Sequence, residues 1–572
     1  MVNKWEVQKT DANLALMSRV LGVGTVTASV MANRGLRSKK IAQAFLSPSL
    51  DALHDMDDML GLPAALECIA AAVSGGEKIV IFGDYDADGI MSTVILHKVL
   101  MRLGANSSYY IPHRQTEGYG LNLHAVERLA ADGTQLIIAV DNGISAVAEV
   151  ARAVELGMDV VIIDHHESGA ELPAATAIVD PKQPGCPYPF KEMCAAGLTY
   201  KFANALCSFM DLNFDERNEM LVLAAIATLC DIVALVDENR VIVNGGMAVL
   251  NANKLINPGL GSLITLRGYL EKPMDTFTIG FVIGPCLNAA GRLESAELSV
   301  ELLLAQDFKR RMELAHKLAD LNEQRKTLTA DCVNRVLAEL DMDNLDKILV
   351  IADADAHESV AGIVAGRVRE ATNRPTVLLT QGDGMMKGSG RSIPVFNLYE
   401  ALFAQRALFE RFGGHAMAAG LTLHEENIPA LREALNRECM LTDDDFRPIL
   451  KIDSELDAAD ITLALSDELT RLAPFGKDND EPLFLTRGLI AENVRVLDEK
   501  RTLIFTFYAH GVRVKGIAFG LNEIYDERLA DAGLSAQKNG GFELDVVYNI
   551  ETNVYNGIAS VQMRVRDFLI IK

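Results

Sequence analysis

The chain has 572 residues, which is enough for about three or four domains. It contains no uninterrupted apolar run of about 18 residues, and its N-terminus lacks the apolar core of a leader, so we expect neither a membrane span nor secretion. Its eight cysteines lack Cys-x-x-Cys spacing, which disfavours a zinc ribbon or a disulfide framework and indicates a reducing cytoplasm. The net charge of −24 argues mildly against a nucleic-acid partner and predicts that any such binding is local.

The first half of the chain begins with short helices and then alternates strands with helices. Residues 1–45 are predicted to form small helical pieces, and residues 46–296 a parallel α/β domain. Within that domain the apolar runs Lys78–Phe82, Leu136–Val140 and Asp159–Ile163 have the length and composition of strands buried on both faces. Helices that end at glycine follow the first two runs, and this alternation predicts βαβ units and a parallel sheet.

The second half of the chain is predicted to form three further parts. One long helix or two, at 297–345, connect to a second α/β domain at 346–445, which contains a strand at 347–351 and two glycine-rich stretches. Residues 446–572 change to strand-length runs separated by turns rich in Gly and Asn, which is typical of a small antiparallel barrel of the oligonucleotide-binding kind. The strands predicted for this barrel are 503–508, 512–519, 542–548 and 560–565.

Acidic clusters directly follow all three strands predicted for the first domain. The carboxyl ends of parallel strands meet at one edge of an open sheet, where ligands bind. Carboxylates and imidazoles gathered there repel one another unless cations lie between them, so the pattern predicts a site for hard divalent metals and for phosphate chemistry. The residues are Asp84, Asp86 and Asp88 after the first strand, Asp141 after the second, and Asp164, His165 and His166 after the third.

The turn from Asp84 to Asp88 has two other interpretations. A calcium loop also uses Asp-x-Asp-x-Asp, but its twelfth residue is a glutamate, and counting from Asp84 that residue is Ile95. A solvated acidic turn without a function stays open as an alternative. Asp231 adds to the metal interpretation, because it interrupts an apolar stretch where an unpaired carboxylate would be costly.

A pair of metal ions would explain why the carboxylates are so many. Such a site needs one ligand to bridge ions about 3.5–4 Å apart, and a central carboxylate such as Asp141 suits that role. The cations would lower the pKa of a bound water to give hydroxide near neutral pH, and they would stabilise charge on the phosphoryl oxygens during in-line attack.

The motifs resemble, in their order, those of the DHH phosphoesterase superfamily, and the resemblance covers roughly residues 40 to 570. The DHH triplet alone would be a weak signal, whereas the full ordered set is strong. Residues 413–420, Gly-Gly-His-Ala-Met-Ala-Ala-Gly, resemble the signature of the DHH-associated second domain, DHHA1, while residues 287–293, residues 473–476, Asn479 and Glu481-Pro482 resemble segments of the RecJ-type exonucleases. The motifs that carry the superfamily resemblance are Asp84-Tyr-Asp86-Ala-Asp88, Asp141-Asn-Gly-Ile-Ser145, Asp164-His165-His166 and Asp231.

The resemblance implies a metal centre that uses Mn²⁺ or Mg²⁺, with one or two ions. Asp84 would lie beside the ligands and take part in catalysis with Asp164 and His166. The second imidazole, His166, would contact the scissile phosphate or protonate the leaving oxygen. The implied metal ligands are Asp86, Asp88, Asp141, His165 and Asp231.

The resemblance also implies a set of substrate-binding residues. Ser389 and Arg391 would hold a terminal 5′-phosphate with help from Arg292, because the rigid fork of arginine suits phosphate geometry. Arg114 would contact the strand. His415, in a glycine-rich loop, would approach the nucleotide, since glycines let the backbone come close to a substrate.

One position departs from the superfamily pattern. Many members have a metal-binding histidine four residues before the aspartate that matches Asp86, and this chain has Phe82 there. A phenyl ring cannot ligate a metal, so one metal position is short of a ligand unless Asp84 or water substitutes. We therefore expect the second ion to bind weakly or only together with substrate.

The function implied by the resemblance is a 5′-to-3′ exonuclease that degrades single-stranded DNA to 5′-mononucleotides in DNA repair and recombination. It implies a cytoplasmic monomer without a membrane, with single-strand-binding protein and a helicase as partners. Two alternatives stay open: a DHH phosphodiesterase of short oligonucleotides or cyclic dinucleotides, and an inactive single-strand-binding scaffold. The C-terminal barrel argues against the first, and the retained carboxylates argue against the second.

Overall fold

The computed structural model describes residues 3–382, 384–497, 501–534 and 540–571. Within these residues no single helix is long and apolar enough to cross a membrane, although two bent pairs of helices between residues 14 and 75 reach the required length and hydropathy. The chain divides into two compact units. The first contains Met1–Ala52, Leu235–Arg240 and Arg447–Lys572, and the second contains Leu53–Ala234 and Val241–Phe446.

The N-terminal segment of the first unit contains one strand and three helices. Side-chain oxygens of Asn13 and Ser38 cap the first and third helices by accepting backbone N–H groups of the first turn. Apolar residues of this segment, among them Met31 and Phe45, share a core with the C-terminal barrel. The elements are β1 (Lys4–Val7), α1 (Leu14–Leu21), α2 (Thr25–Asn33) and α3 (Lys39–Leu46).

A five-stranded parallel sheet forms the start of the second unit. Its elements are α4 (Leu62–Gly75), β2 (Lys78–Phe82), α5 (Ala87–Arg102), β3 (Asn106–Tyr110), α6 (Leu123–Ala131), β4 (Leu136–Val140), α7 (Val147–Glu155), β5 (Asp159–Ile163) and β6 (Ala177–Val179). The strand order is β3-β2-β4-β5-β6. One face of β2, β4 and β5 packs against α6 and α7, and the strands are buried on both faces. The predicted parallel sheet is confirmed, and its three predicted strands match to the residue.

Helices occupy the chain between the parallel sheet and the second sheet. Helix α15 has 32 residues, and together with α14 it occupies the predicted connecting segment. Buried leucines at helical spacing, Leu314, Leu318 and Leu321, hold it against the preceding helices of the same unit. The elements are α8 (Ala195–Phe209), α9 (Arg217–Cys230), α10 (Asp237–Ala252), α11 (Pro258–Leu266), α12 (Thr276–Thr278) with a π-turn at Ile279–Ile283, α13 (Gly284–Leu293), α14 (Glu297–Leu304) and α15 (Phe308–Glu339).

A second, mixed sheet ends this unit. Its elements are β7 (Leu349–Ala352), α16 (Ala361–Thr372), β8 (Thr376–Gln381), β9 (Met386–Arg391), α17 (Leu398–Ala404), β10 (Phe409–His415), β11 (Ala418–Leu423) and α18 (Ile428–Glu438). The strand order is β10-β11-β9-β8-β7, and β7 and β8 are parallel. Both glycine-rich stretches lie in strands. The placement of His415 in a loop is therefore wrong: it ends β10, which pairs with β11 as a hairpin.

The C-terminal barrel belongs to the first unit. Its elements are β12 (Ile449–Ile452), β13 (Ser454–Glu455), α19 (Leu463–Thr470), β14 (Phe484–Leu497), β15 (Thr502–Ala509), β16 (Val512–Phe519), α20 (Asn522–Asp531), β17 (Phe542–Tyr555) and β18 (Ile558–Ile570). Strands β14-β15-β16-β18-β17 close on themselves because β14 also pairs with β17. The expected OB-like barrel is confirmed, with one parallel pair, β16 and β18, among its antiparallel ones. Outside it, β1 pairs in parallel with β12.

Arg240, in the first unit, is a fully buried arginine that bonds to backbone carbonyls. Its guanidinium donates to the carbonyls of Phe45 and Leu472 at 2.9 Å each and of Ala473 at 2.7 Å. It also lies 3.7 Å from the centre of the Phe45 ring. Burial lowers the pKa of Arg240 to about 10, so it remains charged at neutral pH. Its N–H groups serve as donors for carbonyls that follow α19, where no further helical N–H is available.

Replacing Arg240 by methionine should destabilise the first unit. The variant keeps an apolar stem but leaves several buried carbonyls without a donor, and each such loss costs about 1–3 kcal/mol. We expect the free energy of unfolding of this unit to fall by more than about 3 kcal/mol. Thermal melting and limited proteolysis would measure this loss. The exposed Arg495→Met is the control and should melt like the parent. A normal melting curve for Arg240→Met would contradict this assignment.

Candidate active site

The turn after β2 carries three aspartates in different environments. Asp86 is the N-cap of α5, and its side chain accepts from the backbone N–H of Asp88 at 3.0 Å and of Gly89 at 3.2 Å. Asp88 is buried, and its two oxygens accept from the N–H groups of Ala195 and Ala196, at the start of α8, at 2.7 and 2.8 Å. The turn and two helix N-termini thus fix the direction of these carboxylates.

Asp141, directly after β4, is held in a left-handed backbone conformation with φ of 63°. Non-glycine residues seldom adopt this conformation, and those that do are found most often at functional sites. The next residue, Asn142, is buried and donates its side-chain amide to the carbonyls of Phe82 and Val140 at 3.2 and 2.9 Å. This amide bridges β2 and β4 directly below the turn. The Asp141 carboxylate lies 3.2 Å from Nε2 of His165.

Asp164 after β5 orients the two histidines that follow it. Its carboxylate accepts from the N–H of Ile144 at 3.0 Å, from the N–H of His165 at 2.8 Å and from Nδ1 of His166 at 2.7 Å. These bonds occupy both of its oxygens. His165 points the other way, and its Nε2 lies 3.7 Å from Asp88 and 4.0 Å from Asp231, which is the C-cap of α9.

The predicted acidic and imidazole residues therefore converge, and their ligand atoms form three groups within 4.8 Å. Asp141 and His165 each belong to two of these groups. Oδ1 of Asp84 is buried without a hydrogen-bond partner, which is the state expected of an atom that a cation would satisfy. Oxygen and imidazole donors suit Mn²⁺ and Mg²⁺. The groups are Asp84, Asp86 and Asp141; Asp88, His165 and Asp231; and Asp141, His165 and His166.

Phe82 supplies no ligand to this site. Its side chain is fully buried and packs against the ring of Tyr110 at 5.0 Å between ring centres. The position where many superfamily members have a metal-binding histidine is thus part of the core of the sheet. The group that contains Asp84 relies on carboxylates alone.

Burial and mutual repulsion shift the pKa values of the carboxyl groups upward. Burial, followed by the charge of neighbouring aspartates, raises the pKa of Asp88 to about 6 and that of Asp231 to about 7. The same two causes raise the pKa of Asp84 and of Asp141 well above the usual range. Without a cation, the fold therefore keeps these groups together at a cost in free energy at neutral pH.

The two adjacent histidines have opposite protonation preferences. Burial lowers the pKa of His165, which stays neutral and can ligate a metal. Burial is the largest single effect on His166 and lowers its pKa, but the hydrogen bond with Asp164 and the charges of Asp164, Asp231 and Asp88 together raise the pKa of His166 to about 9. His166 is therefore protonated at neutral pH and is able to give a proton to a leaving oxygen.

Three predicted substrate-binding arginines lie in the same unit as the carboxylates. Arg292 on α13 donates to the carbonyl of Ser359 at 3.1 Å, and Arg391 at the end of β9 donates to Oγ of Ser389 at 3.2 Å. Arg114 lies 4.8 Å from the centre of the ring of Tyr85, the residue between Asp84 and Asp86 in the sequence. Among the described residues, none of these arginines has a carboxylate as an ion-pair partner, so no carboxylate directly neutralises the three guanidinium groups.

The electrostatics of these arginines agree with a site for an anion. Burial, followed by repulsion from Arg114, lowers the pKa of Arg292 to about 10 and also lowers that of Arg391. Gly362 on α16 keeps the space next to them open, because a Cβ there would lie 2.7 Å from Nη2 of Arg391 and 2.9 Å from Oγ of Ser389. A phosphate would relieve the repulsion among the guanidinium groups.

His415 borders the carboxylate site from the second sheet. A cavity of about 410 Å³ is lined by Tyr119 and His166 on one side and by Gly414 and His415 on the other. His415 itself is exposed. The hairpin of β10 and β11 thus contributes to the wall of the same cavity as the acidic strand ends.

Several residues of the site were not predicted. Asp180 follows β6 and is fully buried, and burial raises its pKa to about 7. Its signal was the same as for the other clusters, an acid directly after a short apolar run. Asn288 accepts the N–H of Ala87 at 2.7 Å, and Arg325 lies near Arg292. Tyr119, which lines the cavity, also had no predicted role.

The fold and this site define a phosphoesterase of the DHH class. The model of the DHH family N-terminal domain matches residues 78–230, that of the DHHA1 domain matches residues 345–440, and that of the RecJ OB domain matches residues 452–567. Each match falls on one of the parts described above, and together they cover both units.

Whole-chain comparisons narrow the class to one family. The single-stranded-DNA-specific exonuclease RecJ of Bacillus subtilis is 36% identical over 571 residues, which are 99% of this chain and 70% of that protein. Crystal structures of RecJ from Thermus thermophilus with Mn²⁺ and with Mg²⁺ match with TM-scores of 0.83 and 0.78 at 29% and 28% identity, over 99% and 100% of this chain and 79% of theirs. The chain belongs to the RecJ family of single-stranded-DNA-specific exonucleases.

Removal of one central charge should stabilise the metal-free protein. Because the folded-state pKa values of Asp88 and Asp231 are raised, the metal-free protein should lose stability as the pH rises through about 6 to 7, and Mn²⁺ should restore it. Asp141→Asn suits the left-handed backbone and removes one repelling charge. At pH 8 without metal, we expect this variant to have a higher melting temperature than the parent. On addition of Mn²⁺, its melting temperature should rise much less than that of the parent.

The control for this experiment is Asp331→Asn on the exposed face of α15, which should match the parent under both conditions. Differential scanning calorimetry with and without Mn²⁺ measures both quantities. An Asp141→Asn protein that keeps the full increase with Mn²⁺ would show that the cation binds elsewhere.

Proposed function

We propose that this protein is a metal-dependent exonuclease that degrades single-stranded DNA from the 5′ end to 5′-mononucleotides. The observation that carries the proposal is the juxtaposition of two opposite charge clusters. Arg114 lies over Tyr85 within the acidic turn, and Arg292 is close enough to Asp86 for the aspartate to act on its pKa. One cluster suits the cations of phosphate hydrolysis, and the other suits a terminal phosphate.

The acidic cluster would hold the cations. When bound, divalent cations activate a water for attack on phosphorus and neutralise charge on the phosphoryl oxygens. The proposed ligands already have fixed directions, since backbone N–H groups orient Asp86 and Asp88. Little reorganisation would then be needed on binding. The proposed ligands are Asp86, Asp88, Asp141, His165 and Asp231, with Asp84 beside them.

His166 would supply the proton. Its hydrogen bond to Asp164 and the charges of the nearby aspartates keep it protonated at neutral pH, and the hydrogen bond fixes which ring nitrogen faces away from that carboxylate. The free ring nitrogen would protonate the oxygen that leaves when the phosphodiester is cut. Asp164, with both oxygens already bonded, would act by orienting His166.

A phosphate pocket made by Arg391, Ser389 and Arg292 would decide which end of a strand is cut. Arg391, Ser389 and Arg292 would bind a terminal 5′-phosphate, and Arg114 would contact the strand between this pocket and the carboxylates. A strand whose terminal phosphate is held a short distance from the metals is cut at its first internal phosphodiester. This accounts for an exonuclease that starts at the 5′ end and releases nucleotides that carry a 5′-phosphate. His415, at the wall of the cavity, would approach the nucleotide.

The relatives support the choice of substrate and cofactor. The RecJ of Bacillus subtilis is named as specific for single-stranded DNA, and the RecJ of Thermus thermophilus has been crystallised with Mn²⁺ and with Mg²⁺. We extend to this protein single-stranded DNA, one or two Mn²⁺ or Mg²⁺ ions, and a role in repair and recombination. Partnership with single-strand-binding protein and a helicase, a monomeric state and a cytoplasmic location belong to the same proposal.

End-labelled single strands test the proposed polarity. With Mn²⁺ present, a 5′-labelled strand should release its label as a mononucleotide at the earliest times, while a 3′-labelled strand should shorten progressively. Asp141→Ala should abolish both. Early release of the 3′ label would reverse the polarity, and faster turnover of dinucleotides than of long strands would favour the alternative of a small-substrate phosphodiesterase.

Arg391→Ala should weaken the preference for a 5′-phosphate. Loss of charged hydrogen bonds worth about 1.5–3 kcal/mol should reduce the ratio of kcat/KM for 5′-phosphate and 5′-hydroxyl strands by about 10- to 100-fold. The affinity for Mn²⁺, measured by calorimetry, should stay unchanged. The control is Arg437→Ala on α18, whose side chain is 62% exposed and pairs with Glu433. Equal turnover of the two strands by the parent enzyme would refute the phosphate pocket.

A further inference from the structure

Tyr119 lies in the segment between β3 and α6 that also carries Arg114. The residue is exposed, with 52% of its surface accessible, although its hydroxyl is engaged. The neighbours Gly118 and Gly120 have φ of 84° and 71°, a left-handed conformation that suits glycine. The two glycines let the chain turn so that one tyrosine enters the site from a surface segment.

The first contact of the Tyr119 hydroxyl is with the backbone of Asp141. The hydroxyl donates to the Asp141 carbonyl at 2.8 Å. The N–H of Asp141 still bonds to the carbonyl of Ile163 at 3.1 Å, but β4 has ended and the left-handed backbone turns the Asp141 carbonyl out of the sheet ladder. A carbonyl in such a place needs a partner. Tyr119 supplies one, and so it helps to hold the strained residue that carries the central carboxylate.

The second contact is with the ring of His166. The Tyr119 oxygen lies 3.2 Å from Nδ1 and 3.3 Å from Nε2, so it sits beside the ring atom between the two nitrogens. The two rings meet edge to face, with centres 5.7 Å apart. Since the hydroxyl proton points to Asp141, the oxygen presents its lone pairs to the imidazole. Together with the bond from Asp164, this contact restrains rotation of the His166 ring.

We infer that Tyr119 is a positioning residue that couples the central carboxylate, Asp141, to the proton donor, His166. One hydroxyl contacts both residues, so a displacement of either residue would shift the hydroxyl and thereby the other residue. The inference rests on the proposed function, because it assigns a role within the same reaction. The exposed surface of the Tyr119 ring is not needed for this role.

The test compares Tyr119→Phe, which removes only the hydroxyl, with Tyr119→Ala, which removes the ring as well. Tyr109→Phe in β3 is the matched control, because that tyrosine packs against His97 outside the site. The measurements are kcat and KM on a 5′-phosphorylated single strand at saturating Mn²⁺, and the Mn²⁺ affinity of the DNA-free protein by calorimetry. Melting temperatures show that the variants are folded.

For Tyr119→Phe we expect kcat to fall by about 10- to 100-fold with KM within twofold of the parent, as for other residues that orient metal-site groups. We expect its Mn²⁺ affinity to fall by about 10-fold, since the Asp141 backbone loses its restraint. A loss in either quantity supports the role. Normal kcat and normal Mn²⁺ affinity would overturn it.

A rise of KM alone, in Tyr119→Ala only, would also overturn the inference, since it would make Tyr119 a surface that stacks on the substrate. The parent enzyme separates this outcome from a failure of the proposed function. If the parent does not degrade single strands, the proposed function fails, and the Mn²⁺ affinities alone decide the role of Tyr119.

Discussion

The structure depends on one constraint, which is the repulsion among carboxylates that the parallel sheet gathers at a single edge. Burial leaves Asp84, Asp88 and Asp141 little water to screen them, so their pKa values rise. A fold can keep such groups together only if its backbone holds them against this force. The cost stored here makes the edge of the sheet a strong cation site, because a cation converts the repulsion into attraction.

The backbone resists the repulsion in a different way at each strand end. Asp88 receives two N–H groups from the start of α8, Asp86 caps α5, and Asp164 is held by its neighbours and by His166. Asp141 lies beside Nε2 of His165 and adopts a strained backbone conformation. Asp141, which like His165 belongs to two of the three ligand groups, is thus held in place by a strained backbone.

Sequence predicted the local parts of the fold and the convergence of the acidic strand ends at one edge of the sheet, but it did not predict individual packing contacts between distant segments. The strands before Asp84, Asp141 and Asp164 were predicted to the residue, because a buried parallel strand is a short apolar run with clear ends. The association of the N-terminal segment with the C-terminal barrel depends on packing between residues hundreds of positions apart, which leaves no periodic signal. Tyr119 was missed for the same reason, since its partners Asp141 and His166 are neighbours only in the folded chain. The placement of His415 failed because glycine was interpreted as a loop signal, whereas here it permits close packing of strands.

The two charge clusters also explain how an acidic protein can act on an anionic polymer. The overall charge of −24 would repel a nucleic acid, and the site itself contributes part of that charge. Cations at the acidic edge reverse the local sign, while Arg292 and Arg391 already supply positive charge that no carboxylate of the described residues neutralises. In the proposed function, a strand would be attracted where its terminal phosphate and its first phosphodiester meet both clusters at once. Electrostatic attraction confined to one end of the substrate would favour trimming from that end over cutting within the strand.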